Sequence, residues 1–170
     1  MDLTKLVGAL LVVLSSTAWG IVIARKLSLR VRFLQQFLQF LSYIETEIRY
    51  AHRVLSEIIR SYQNEGELQT FLTFVCSELD NKKSFGKAWR DAVENLPSSY
   101  GLLRQDKELI CAFGGELGAS DIEGQMALCQ LNKGLVSAAL QEAQEEKLEK
   151  SKLYFMLGSS AGACLAIMLL

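Results

Sequence analysis

Apolar residues are concentrated at the two ends of this 170-residue chain, and nearly all charged residues lie between them. Residues 6–24 and residues 153–170 form two runs without a single charged side chain. At the helical rise each run would extend over about 27 Å, close to the hydrocarbon thickness of a bilayer. The pattern predicts an N-terminal transmembrane helix over residues 1–25 and a C-terminal transmembrane helix over residues 153–170.

Both runs have an alternative interpretation. The first follows Lys5 and is rich in leucine and valine, like a cleavable signal peptide, but it is longer than a usual signal core. Ser15, Ser16 and Ala18 lead into Trp19, which is not a typical cleavage site. The second run would suit a buried core helix only if the rest of the chain offered apolar surface of matching size, and it does not. Membrane spans are the better interpretation of both.

Basic residues flank both runs on the side that faces the middle of the chain. Because lysine and arginine near the ends of a span are retained in the cytoplasm, residues 26–152 are predicted to form a cytoplasmic domain between two spans of the cell membrane. The first cluster is also suited to anionic lipid headgroups. The predicted flanking residues are Arg25, Lys26, Arg30, Arg32, Lys147, Lys150 and Lys152.

The apolar spacing in the first half of the domain predicts helices. Apolar residues at spacings of three and four predict one long helix from the first span through Leu34 to Tyr62, ended near Gly66. A second helix is expected over residues 67–79, and a third from an N-cap at Ser84 to the Leu96-Pro97 pair.

The second half reads the same way. A fourth helix is expected over residues 104–117, with Gly118 placed to end it. Ser120 and Glu123 have the spacing of a capping box, so a long last helix is predicted to start there. It passes through apolar positions such as Leu131 and Leu135 and a polar, solvated stem over residues 141–152 into the second span. The predicted fold is an all-α bundle of about five helices, the first and last continuous with the spans.

The composition argues against an enzyme and against nucleic-acid binding. His52 is the single histidine, the four cysteines are isolated, and no nucleotide-binding or metalloprotease motif is present, so we expect no catalytic residues, metal site or cofactor. The 18 basic and 19 acidic residues nearly balance, which gives no basic field for nucleic acid. A reducing cytoplasm predicts free cysteines.

Glycines supply the candidate packing sites. Gly114 and Gly115 inside the fourth helix would each cost about 1 kcal/mol of helix propensity unless another helix approaches there. Small residues four apart, Ser16 with Gly20 and Gly158 with Gly162, allow the spans to pack with each other or in a homo-oligomer. The candidate close-packing or interface residues of the domain are Gly114, Gly115, Gly118, Ser120, Asp121 and Gln125.

The segment Phe-Gly-Gly-Glu-Leu-Gly-Ala-Ser-Asp over residues 113–121, with Gln125 and the lysine-rich stem, resembles the stage III sporulation protein AB family of endospore-forming bacteria. The resemblance covers essentially the whole chain. A T-P-L-like segment often follows the first long helix in that family, whereas residues 51–55 here read Ala-His-Arg-Val-Leu.

The resemblance implies a non-enzymatic platform in the channel or secretion-like complex between mother cell and forespore, in the mother-cell membrane. The family's cytoplasmic domain looks like the inner-membrane platform proteins of type II secretion and type IV pilus machines. Its implied partners are a secretion-type sporulation ATPase and other membrane proteins of the channel. The alternative is a tail-anchored adaptor or coiled-coil scaffold without motor coupling, in which the apolar seam of residues 34–62 pairs with another chain.

Overall fold

The computed structural model describes the backbone of residues 3–50 and 54–169, and the side chains of residues 22–50, 54–150 and 153. Within these residues the chain is all-helical, as the sequence predicts, and contains no strand. A short 3₁₀ turn, Ser98–Tyr100, lies between the fourth and fifth α-helices. The α-helices are α1 (Leu3–Tyr50), α2 (Leu55–Ser61), α3 (Glu67–Asp80), α4 (Phe85–Glu94), α5 (Arg104–Glu116) and α6 (Ile122–Leu169).

The two long helices, α1 and α6, lie side by side and run antiparallel. Leu34 of α1 packs with Leu140 and Ala143 of α6. Further along α1, the Glu45 carboxylate accepts a hydrogen bond from Lys133 at 3.0 Å. Because residue numbers rise along one helix while they fall along the other, residues 22–30 of α1 and residues 140–150 of α6 lie at the same end of the bundle. We call this end the base.

A single tryptophan lies at the centre of the core. Trp89 of α4 is fully buried, and its indole N–H donates to the carbonyl oxygen of Ile110 at 2.8 Å. Because this N–H group has an acceptor, the large ring is buried without the cost of an unbonded polar group. The ring centroids around it lie 4.9–6.4 Å from the indole and belong to Phe37, Phe40, Phe71, Phe85 and Phe113.

The predicted continuous helix from Leu34 to Tyr62 is wrong, because α1 ends at Tyr50 and α2 is a separate helix. In one straight helix Tyr43 and Tyr62 would be about 28 Å apart. Their ring centroids are instead 5.0 Å apart, and the hydroxyl of Tyr43 shares a 2.8 Å hydrogen bond with that of Ser61. The chain has folded back, which places α2 beside α1 and α3 and buries Ile58 and Ile59.

The apolar seam of α1 is covered by its own chain. Leu34, Phe37, Leu41 and Ile44 are all 0% exposed. The seam is therefore unavailable to a second chain, and the coiled-coil interpretation that relied on it is wrong.

The start of α6 differs from the predicted capping box by one residue. Asp121, not Ser120, caps the helix, because its Oδ1 accepts the backbone N–H of Gly124 at 2.9 Å. Ser84 does precede α4, in an extended conformation, but its side chain makes no capping hydrogen bond.

Within the described residues, no helix holds an apolar segment long enough to cross a bilayer. The two runs predicted to do so lie almost wholly outside the residues whose side chains are described. The two spans therefore remain predictions.

Candidate functional site

A buried arginine joins three helices at the base of the bundle. The side chain of Arg30 is 1% exposed, although the sequence placed it in a basic flank. Its Nε and Nη2 donate to the two carboxylate oxygens of Asp106 on α5, at 2.7 and 3.1 Å. Its Nη1 donates to Glu146 on α6 at 2.8 Å. We call Arg30, Asp106, Glu146 and the Lys150 that also bonds to Glu146 the base network.

The surroundings of Arg30 and Glu146 favour the charged form of both side chains. Burial opposes the charge of Arg30, but the hydrogen bond to Asp106 and the carboxylates around it outweigh that effect and raise the pKa of the guanidinium. Asp106 is fully buried and also accepts the backbone N–H of Leu103 at 2.8 Å, at the start of α5. The hydrogen bond from Lys150, with the charge of Arg30, lowers the pKa of Glu146.

The stem of residues 141–152 is only half solvated. Ala143 is 1% exposed and packs near α1, and Glu146 bonds to Arg30. Gln141, Glu145 and Glu149 face solvent. The polar composition predicted a solvated stem. One side of the stem instead packs against the bundle, because Glu146 accepts a hydrogen bond there from the buried Arg30.

Apart from Arg30, the basic residues of the predicted flanks whose side chains the structure describes lie at the surface. Arg25 and Lys26 are exposed, and Arg32 is 60% exposed and pairs with Glu67 at 3.2 Å. Lys147 and Lys150 are partly exposed, and the side chain of Lys152 lies outside the described residues.

The loop after the 3₁₀ turn also belongs to the base. Gly101 has a φ of +69°, and a Cβ added to it would lie 2.5 Å from the carbonyl oxygen of Lys26. The ring of Tyr100 packs 5.9 Å from that of Phe33. This loop therefore lies directly against α1, next to the end of the first apolar run.

Four of the candidate interface residues build the turn between α5 and α6. Gly118 has a φ of +87°, and its N–H donates to Oε1 of Gln125 at 2.9 Å. Nε2 of Gln125 donates to the hydroxyl of Ser120 at 2.9 Å, while Asp121 caps α6. Gln125 is only 6% exposed. The motif that carries the family resemblance therefore forms hydrogen bonds within the turn between α5 and α6. We call it the turn motif.

The paired glycines of α5 differ in their surroundings. A Cβ added to Gly114 would overlap the indole ring of Trp89, so α4 does approach α5 at this position. No atom lies within 4 Å of a Cβ added to Gly115. The close approach that the pair predicted is therefore at Gly114 and not at Gly115.

The described His, Cys, Asp and Glu side chains were the remaining candidates for a metal site. No group of three or more His, Cys, Asp or Glu side chains in this part of the chain is arranged to hold a metal ion. Cys76, Cys111 and Cys129 are free, and burial raises the pKa of the Cys129 thiol to about 11. His52 and Cys164 lie outside the described side chains, as do Ser16, Gly20, Gly158 and Gly162.

Sequence reasoning missed the base network although the chain carries a signal for it. Arg30 precedes Leu34, Phe37 and Leu41 at spacings of four, three and four, which continues the apolar seam of α1 backwards. A charge on a buried face needs a partner of opposite sign. Nothing in the spacing of Asp106, 76 residues away, indicated that it would be that partner.

Comparisons with known proteins point to one family. A family model described as Stage III sporulation protein AB matches residues 5–170. A Bacillus subtilis (strain 168) protein of the same name is 25% identical over 169 residues, which is 98% of this chain and 99% of that protein. No solved structure is significantly similar to the chain.

Proposed function

Because the chain belongs to the stage III sporulation protein AB family, which acts in sporulation, we propose that it is a non-enzymatic platform of the complex between mother cell and forespore. In this proposal residues 6–24 and 153–170 span the mother-cell membrane, and the helical domain faces the cytoplasm. A cytoplasmic secretion-type ATPase and other membrane proteins of the complex are its partners.

The observation that carries the proposal is the continuity of the two terminal helices. α1 and α6 are each 48 residues long, and each passes from the core into an apolar run without a break. Since no flexible linker separates the bundle from these runs, a displacement of the bundle would be passed to the membrane segments.

The base network supports the same proposal. It ties α1, α5 and α6 together at the end of the bundle where both apolar runs begin. Sliding α1 along α6 would separate the guanidinium of Arg30 from the partly buried carboxylate of Glu146, which leaves a charge of Arg30 without that partner. The bundle and both membrane segments would therefore move as one body.

An insertion into α6 tests mechanical coupling. We expect a Gly-Ser-Gly-Ser insertion after Glu149 to leave membrane insertion intact and to abolish sporulation, because it interrupts the rigid connection. The matched control places the same insertion after Asn81, in the exposed loop between α3 and α4, and should sporulate normally. Normal sporulation with the α6 insertion would refute rigid coupling.

A binding experiment tests the partner. Full-length protein in detergent should retain the secretion-type ATPase of the same cell in at least one nucleotide state. Because the domain has nearly balanced charge, we expect the contact to use mixed polar and apolar surface and to tolerate moderate salt. Absence of binding without nucleotide, with ADP and with an ATP analogue would refute direct coupling to that motor.

A further inference from the structure

The face of α6 that points away from the core is continuous and exposed. Its buried face consists of Gln125, Cys129, Asn132, Val136, Leu140 and Ala143. On the opposite side of the helix, five residues are all exposed and follow one another at spacings of four, three, four and three. We call these five residues the outer seam: Ala127, Leu131, Gly134, Ala138 and Gln141.

The outer seam lacks the charges that a solvent-facing helix normally carries. Between Gly124 and Gln141 the only charged residue is Lys133, which turns toward α1 and binds Glu45 at 3.0 Å. Leu131 is 62% exposed, and Leu135 at the edge of the seam is 48% exposed. A continuous uncharged face that holds two exposed leucines is typical of a surface that contacts another molecule.

Close packing within the chain does not require glycine at position 134, at the centre of the seam. No atom lies within 4 Å of a Cβ added to it, and glycine inside a helix costs stability. Together with Ala127 and Ala138 it leaves a shallow surface between the leucines. Such a surface lets a second helix approach closely, and the alternating spacing is that of helices that pair along a heptad repeat.

We propose that the outer seam pairs with the same seam of a second copy of this chain, with the two α6 helices parallel. The parallel direction rests on the two-span placement in the proposed function, because two copies in one membrane hold their α6 helices in the same direction. A two-fold parallel pair places each seam residue opposite itself.

Charge supports a second copy as the occupant. In a parallel pair the residues beside the seam meet five positions apart, so Gln130 meets Leu135 and Ser137 meets Glu142. No like charges meet between residues 127 and 141. Glu145 holds the next position of the seam and would face its own copy, so the pairing ends near Gln141.

The same repeat continues in the sequence of the second apolar run. Gly162 stands four heptads after Gly134, and Ser159 stands three heptads after Ala138. The predicted span therefore carries small residues at the positions that the outer seam uses. Two contacts along one helix, separated by the acidic segment around Glu145, would hold the copies together.

A charge exchange at Gly134 tests the pairing. Two differently tagged full-length copies are expressed in the same membrane, solubilised in mild detergent and recovered through one tag. With Gly134→Lys in both copies, or Gly134→Glu in both, we expect recovery of the second copy to fall about tenfold or more, because like charges meet at the centre. One copy of each variant should restore recovery, since opposite charges then face each other.

The control is Gly115→Lys in both copies, since Gly115 is also a helical glycine with open surroundings but lies on α5. It should pair like the unchanged protein. Circular dichroism should show unchanged helicity in all variants, because each new side chain enters open space. Undiminished recovery with Gly134→Lys, or failure of the mixed pair to recover, would overturn the proposal. Since no ATPase takes part, that failure would leave the platform function standing.

Discussion

Alanine substitutions at the adjacent glycines of α5 should change stability in opposite directions. Gly114→Ala places a methyl group inside the volume of the indole of Trp89, near its Cγ, Cδ1 and Nε1 atoms. The indole cannot retreat, because it is fully buried among phenylalanine rings and its N–H is held by Ile110. Gly115→Ala places the same methyl group in open space.

The size of each stability change follows from the space available to the added methyl group. Overpacking a well-packed core costs typically about 1–3 kcal/mol, and displacing the indole from its hydrogen bond adds about 1 kcal/mol. Replacing glycine by alanine in a helix returns about 1 kcal/mol at either position. We therefore expect Gly114→Ala to destabilise by about 1–3 kcal/mol and Gly115→Ala to stabilise by up to about 1 kcal/mol.

Thermal unfolding in detergent, followed by near-ultraviolet circular dichroism of the aromatic core, measures both effects. For a domain of this size 1 kcal/mol corresponds to about 3–6 °C in Tm. The double variant Gly114→Ala with Trp89→Phe provides a further check, because the smaller ring leaves room for the methyl group. Its destabilisation should be less than the sum of the two single changes. Equal Tm values for Gly114→Ala and Gly115→Ala would refute the packing argument.

Three further predictions concern separate parts of the fold. The pKa of Glu146 is lower in the folded protein, so its stabilisation is complete above the unfolded value of about 4.3 and is lost as pH falls through the folded value. Glu146→Gln should therefore weaken the pH dependence of Tm between pH 3 and pH 6, and an unchanged profile would contradict the base network. Gln125→Leu removes the hydrogen bonds to Gly118 and Ser120 and should lower the free energy of unfolding by about 1–3 kcal/mol, measured by thermal unfolding. An unchanged free energy of unfolding would show that these hydrogen bonds do not stabilise the turn. Cys129 should resist alkylation by iodoacetamide at pH 8 in the native protein and react after denaturation, as mass spectrometry would show; rapid native labelling would contradict its burial and raised pKa.

Local signals in the sequence were sufficient for most helix boundaries. The predicted ranges 67–79 and 104–117 lie within one residue of α3 and α5, because a loop of polar residues and Gly118 with its positive φ end them. These are properties of a few neighbouring residues, which spacing and turn chemistry capture.

The break after Tyr50 could not be found in the same way. Residues 51–55 contain no glycine or proline, and their spacing continues the apolar seam. The fold gains more by turning α2 back and burying Ile58 and Ile59, which are 1% exposed. Tertiary burial overrode local preference, and a single sequence does not show which distant surface will be offered.

The outer face of α6 shows a second limit of prediction from sequence, which concerns burial. Leu131 and Leu135 fit the apolar spacing of a helix, yet both are exposed. Apolar spacing identifies a helix face that is covered. It does not say whether the chain itself or another molecule covers it.

The pairing of α1 with α6 has a consequence for biosynthesis. The apolar side of α1 is among the first parts of the domain to leave the ribosome, but Glu146, which binds Arg30, follows 116 residues later. At elongation rates of about 5–20 residues per second, roughly 6–23 s pass before that partner exists. Leu34, which packs against Leu140 and Ala143, therefore has no covering helix until α6 has been made.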